Sequence, residues 1–194
     1  ELVREIAKEF FDNIFLEKHL SMFKNIQSFD YLFGAELNRR SLGYDLLERE
    51  SNLIFLDEFD KCDTSFYSAF YTLFDNEIFK DANYDVNMSG TLILLTANYN
   101  SLEDMKKHLG LPIFYRIDKF IKFEDFESNT IYTIVKKEIS SRKKELGNLL
   151  DEELIYSKVS MIINTQGENA RTIKSKVQEV IEELLFENYM DSKN

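Results

Sequence analysis

Residues 52–61 read NLIFLDEFDK. The run from Asn52 to Leu56 has the length of a strand and is almost wholly apolar, as expected of a parallel strand buried on both faces. Two adjacent carboxylates, Asp57 and Glu58, close it. In an open parallel sheet, ligands bind beyond the carboxyl ends of the strands. A carboxylate there suits Mg²⁺, usually held through water, and a neighbouring one suits polarisation of an attacking water. The alternative is that Asp57 only caps the following helix.

A second apolar run, TLILLT at Thr91–Thr96, predicts another buried strand, ending in Thr96 and then Asn98. A side-chain amide beside a phosphate site can orient a lytic water, although a polar turn alone also explains it. Between the two runs, Ser65–Phe74 reads as a helix with Phe66, Tyr67, Phe70, Tyr71 and Phe74 at helical spacing, a core pattern. Glu77–Ser89 is polar and turn-rich and reads as a hairpin or long loop. Upstream, Glu1–Phe15 predicts an amphipathic helix with Leu2, Ile6, Phe10 and Ile14 on one face. Phe23–Ile26 reads as a short strand, and Leu37–Glu50 as mostly helical with an interruption at Gly43. Phe120–Phe123 (FIKF) reads as a further short strand. After Phe126 the pattern becomes purely helical, over Thr130–Leu146, Asp151–Ile163 and Asn169–Met190. The expected organisation is an α/β part, residues 1–126, followed by a small α-helical part, residues 127–194.

The chain has 194 residues and a formal net charge of −11, with 44% hydrophobic residues. It can bury a core. Its acidity argues against general binding to nucleic acid or to anionic membranes, both of which need positive charge. One cysteine excludes an internal disulfide, and one Cys with two separated His makes no zinc-ligand pattern. His19 and His108 read as isolated surface residues, and nothing beside Cys62 points to a depressed thiol pKa. No apolar run approaches the roughly 20 residues of a membrane span. Arg116, in LPIFYRIDKF, stands where a guanidinium at a domain edge could reach a neighbouring subunit's phosphate, or else form a surface ion pair, for example with Asp118. Arg171, in GENARTIKSKVQ, begins the last helix, where the positive macrodipole disfavours a buried-facing cation; a bound anion would remove that penalty, and so would exposure to solvent.

In order and spacing these segments resemble the Clp-type AAA+ ATPases, the ring-forming chaperone unfoldases, over nearly the whole chain. NLIFLDEFDK resembles their Walker B strand, and FYSAFYTLFDNEIFKDANYDVNMSGTLILLTAN their helix, inserted hairpin and sensor-1 strand. FYRIDKFIKF resembles the arginine-finger segment, and NARTIKSKVQEVIEELL the lid helix with its sensor-2 arginine. ELVREIAKEFF resembles the helix that follows the Walker A loop. The resemblance implies a parallel AAA+ sheet with flanking helices and an α-helical lid. It implies ATP and Mg²⁺ as cofactors, with Asp57 on Mg²⁺, Glu58 activating water and Asn98 positioning it. Arg116 would act on the adjacent subunit's ATP, and Arg171 would sense nucleotide from the lid. It further implies a ring, a hexamer by resemblance, a protein substrate, a peptidase or adaptor as a further partner, and a cytoplasmic location.

Two departures accompany it. The chain contains no G-x-x-x-x-G-K-S/T loop, so it is expected to be a fragment that begins just after that loop and does not bind ATP tightly alone. The stretch expected to hold an aromatic pore loop, residues 29–51, is short; Tyr44 after Gly43, or Phe33 before Gly34, would serve, unless both are packing residues. The alternatives are a catalytically inactive AAA+ scaffold or regulatory assembly domain, and a nucleic-acid motor, against which the acidic charge counts.

Overall fold

Leu53, Ile54 and Leu56 are buried because their strand has a neighbour on each side. The computed structural model describes residues 1–24, 26–34, 39–75, 78–146, 151–163 and 168–191. Its strands are β1 (Leu16–His19), β2 (Leu53–Asp57), β3 (Ile78–Lys80), β4 (Asp85–Asn87) and β5 (Leu92–Leu95). β1, β2 and β5 form a parallel sheet in the order β1-β2-β5, while β3 and β4 form a separate antiparallel hairpin. Of the hairpin or long loop expected over Glu77–Ser89, the hairpin is the form taken, from Ile78 to Asn87, Glu77 lying outside the described residues. The register sets Leu16 against Ile54 and His19 against Asp57 on one side, and Leu53 against Leu92 and Leu56 against Leu95 on the other.

Several expectations need correction. The strand expected at Phe23–Ile26 lies earlier, at Leu16–His19, and helix α2 (Ile26–Phe33) begins where the strand was expected to end. β1 was hard to see because it is LEKH, an edge strand with alternating exposure and charged outer residues. Phe120–Phe123 forms no strand. Phe120 stacks on Phe114 at 4.8 Å, and Ile121 and Phe123 are exposed; an apolar tetrapeptide without a neighbouring strand leaves its backbone groups unpaired. TLILLT does form β5, but as an edge strand its side chains are half-buried rather than buried on both faces, and Leu92 is exposed.

The first helix, α1 (Leu2–Phe10), stops five residues short of the expected end, because Asp12 and Asn13 take positive φ (51° and 63°). The helical stretch expected over Leu37–Glu50 is reduced to α3 (Leu42–Leu47), capped by the Ser41 hydroxyl, which accepts from the Tyr44 N–H; residues 35–38 lie outside the described residues. The aromatic segment is a 3₁₀ turn, Thr64–Phe70, running into α4 (Tyr71–Asp75). α5 (Leu102–Phe114), capped by Ser101, is kinked where Gly110 takes φ 73° two residues before Pro112.

The chain divides into two compact units, Glu1–Phe120 and Ile121–Asn194. The first has its core on and around the parallel sheet, with Leu20, Leu32, Leu46, Ile54, Leu56, Phe59, Phe70, Phe79 and Ile113 essentially inaccessible. Two carboxylates order its periphery. Asp45, almost fully buried, accepts from Lys18, Arg40 and the Tyr31 hydroxyl. Burial alone would raise its carboxyl pKa; those three donors outweigh that and hold it below the ordinary range. Asp81 ties the hairpin turn to α3, accepting from the Ser41 hydroxyl, the Gly43 N–H and the N–H groups of Asn83 and Tyr84. A Cβ at position 43 would lie 2.3 Å from that carboxylate, so glycine is required there by close approach.

Among its described residues the second unit has three helices, α6 (Ser128–Leu146), α7 (Glu152–Ile162) and α8 (Ala170–Asp191), around Ile131, Val135, Ile139, Ile155, Val159, Ile173, Val177 and Ile181. Asp151 caps α7 through the Glu153 N–H, and Asn169 accepts from the Arg171 and Thr172 N–H groups at the start of α8.

Candidate functional site

Asp57 is the last residue of the central strand, and its carboxylate is held from both neighbours. The Thr96 hydroxyl, just past β5, donates to Asp57 Oδ1 at 2.5 Å. On the other side His19 Nδ1 lies 3.2 Å from Asp57 Oδ2. The carboxylate is thus directed across the sheet end, not to a helix N-terminus. The residue in the cap position of the next turn (Phe59–Lys61) is Glu58, which makes no side-chain capping bond.

Thr96 also fixes the backbone that follows Asp57. Its Oγ1 accepts from the Glu58 N–H at 3.0 Å, its carbonyl accepts from the Phe59 N–H at 2.8 Å, and its own N–H reaches the Leu56 carbonyl at 3.1 Å. Between these ties Glu58 adopts φ 55°, ψ 46°, a left-handed conformation that non-glycine residues rarely take. Strain of that kind costs about 1–3 kcal/mol and collects at functional sites. Here it turns the chain sharply at the strand end and leaves the Glu58 side chain in solvent beside Asp57. The parallel register brings Asn98 to the same end of the sheet, three residues beyond Leu95, and it too is exposed.

Arg116 is engaged elsewhere in the first unit. Its guanidinium pairs with Asp75 on α4, not with Asp118, donates to the Pro112 carbonyl at 2.5 Å, and lies 4.9 Å from the centre of the Tyr71 ring. Tyr44 sits within α3 with its ring edge-on to Tyr84 at 6.1 Å and Arg40 above it at 5.8 Å. Arg171 belongs to the second unit and is exposed in the first turn of α8. Of the two ways to remove the macrodipole penalty, exposure to solvent is the one seen, so no bound anion is required there. The Cys62 thiol is buried, and burial, aided by Asp63, pushes its pKa up to about 12.

Reading the sequence missed Glu17, His19 and the double role of Thr96. The signal for the histidine was the alternation of LEKH, which puts Glu17 and His19 on one face and Lys18 on the other; without the correct strand, His19 had no partner.

The oxygen donors at the strand end suit a hard cation such as Mg²⁺, which prefers carboxylate and water oxygens. No protein-family model matches the chain. Its sequence is 21% identical to the chaperone protein ClpB of Mycoplasmoides gallisepticum (strain R(low / passage 15 / clone 2)) over an alignment of 220 residues, covering all of this chain and 30% of that protein. It is 24% identical over 169 residues to the chaperone protein ClpB of Mycoplasma genitalium (strain ATCC 33530 / DSM 19775 / NCTC 10195 / G37), covering 75% of this chain and 23% of that one. The chain thus spans less than a third of the length of these relatives. Among solved structures, its fold matches a closed-state cryo-EM reconstruction of Hsp104 with ATPγS and FITC-casein, with a TM-score of 0.69 and 12% identity over 94% of this chain and 37% of that one. The chain is thus similar in sequence to two ClpB chaperones and shares its fold with Hsp104.

Proposed function

We propose that this chain is the ATP-hydrolysing module of a Clp-like AAA+ machine that remodels or unfolds proteins. The observation that carries this reading is the strand end itself, with Asp57 locked by Thr96 and Glu58 held in a left-handed turn beside it. Asp57 would hold Mg²⁺ through water, and Mg²⁺ when bound offsets charge on the nucleotide phosphates. Glu58 would take a proton from the attacking water, its carboxylate being exposed and its backbone fixed at two points. Asn98 would orient that water from the neighbouring strand end. The first unit serves as the ATPase core and the second as the lid, with Arg171 reporting nucleotide from α8.

Arg116 is assigned the finger that acts on the adjacent subunit's ATP, which requires self-association into a ring, a hexamer by resemblance. For that role its guanidinium must leave Asp75, a partly exposed pair worth about 1 kcal/mol or less. A protein substrate is supported by the ClpB relatives and by the casein in the Hsp104 reconstruction. Tyr44, exposed on α3, is assigned the aromatic contact with that substrate. Similarity to chaperones extends over the whole chain, which favours the motor over an inactive scaffold.

The reading is tested in the full-length protein with Asp57→Asn. The variant should fold normally and lose Mg²⁺-dependent ATP turnover by about 10²–10³-fold. Turnover at the normal rate would remove Asp57 from the site.

A further inference from the structure

The strand register that places His19 opposite Asp57 also brings in Glu17. Side chains alternate along a strand, so Glu17 and His19 project from one face of β1, while Lys18 turns to the other and pairs with Asp45. His19 and Asp57 are register partners. His19 Nδ1 lies 3.2 Å from Asp57 Oδ2, and His19 Nε2 lies 3.6 Å from Glu17 Oε1. One ligand atom from each of the three residues lies within 4.8 Å of the other two, the one such grouping among the described residues.

We propose that Glu17, His19 and Asp57 form a binding site for a divalent transition metal of the zinc class. One imidazole nitrogen and two carboxylates are a donor set that zinc accepts and magnesium does not favour. Bonds of about 2.0–2.2 Å in tetrahedral geometry place ligand atoms roughly 3.3–3.5 Å apart. The two contacts above use different ring nitrogens, and a single metal takes only one of them; ligand atoms within 4.8 Å of one another must close by up to about 1.5 Å, within reach of two side chains at the surface, His19 being 50% and Glu17 36% accessible. The third ligand is already oriented. Thr96 holds Asp57 Oδ1, leaving Oδ2 facing the histidine, the kind of outer hydrogen bond that fixes a metal-binding carboxylate. Three protein ligands leave a position for water.

The consequence rests on the function proposed above: a zinc ion here takes the carboxylate assigned to Mg²⁺, so Zn²⁺ inhibits turnover by competition at Asp57. The site itself is tested without nucleotide. ZnCl₂ is titrated calorimetrically into the full chain, and CoCl₂ is titrated while its visible absorption is followed. One equivalent of Zn²⁺ should bind, and Co²⁺ should develop the intense bands of a low-coordinate site. His19→Ala and Glu17→Gln should each weaken binding by at least about tenfold. His108→Ala, which removes the chain's other histidine, should bind like the wild type. Absence of saturable Zn²⁺ binding, or wild-type affinity in His19→Ala, overturns the site. Zn²⁺ binding that persists while no ATP turnover is found in the full-length protein overturns the proposed function and leaves the metal site standing.

Discussion

Glu58 shows how a single residue's backbone decides what its side chain can do. Its left-handed conformation turns the chain at the end of β2, so the side chain that would otherwise continue the strand's alternation stays in solvent next to Asp57. Thr96, 38 residues away from Glu58, holds both the carboxylate and the turn, so one hydroxyl orients the two acidic neighbours. Cys62, four residues further on, is the opposite case. Its thiol is buried, and its pKa is raised from 9.0 to about 12. The folded chain should therefore resist alkylation by iodoacetamide at pH 8 and react fully once denatured; rapid reaction in the folded state would contradict its burial. The linkage has a definite sign. The unfolded thiol loses its proton near pH 9 and the folded one only near 12, so the stabilising contribution is complete below pH 9 and declines as pH rises through that window.

Among the elements, those readable in the sequence were the ones whose signal is local. NLIFL announced β2 by its apolar run, the polar turn-rich stretch after Glu77 announced a hairpin or long loop, and the strand-free helical pattern after Phe126 announced α6, α7 and α8. What stayed hidden depended on partners. LEKH is a strand because β2 lies beside it, whereas FIKF is not a strand because Phe120 finds the Phe114 ring instead. The Asp57 carboxylate could be placed at a strand end from sequence, but its partners Thr96 and His19 follow from register between strands far apart in the chain. The 3₁₀ winding of Thr64–Phe70 also escaped, since aromatic spacing alone does not separate it from an α-helix. In the second unit Ile173 is completely buried between its helices, so Ile173→Ala should cost about 2–5 kcal/mol in a urea titration of that unit's helical signal. A loss below 1 kcal/mol would show that the three helices do not share this core.

For the whole molecule, the two units each carry their own core, and the residues proposed for catalysis, Glu58, Asn98 and Arg116, all belong to the first. In the ring proposed above, Arg116 is assigned the finger. Arg116→Ala removes a partly exposed ion pair and a cation–π contact, so its melting temperature should change little. A finger acting in trans is worth about 10³–10⁵ in turnover, so the variant should bind ATP, assemble and hydrolyse at least about 10³-fold more slowly. Normal turnover would assign Arg116 to structure alone, through Asp75 and Tyr71. The central claim is that Glu58 activates the attacking water, and its most direct test is steady-state ATP turnover, alongside ATP affinity, in the full-length protein and its Glu58→Gln variant. The account predicts unchanged ATP binding with turnover reduced by about 10²–10⁴-fold; turnover in Glu58→Gln equal to that of the unsubstituted protein would contradict it.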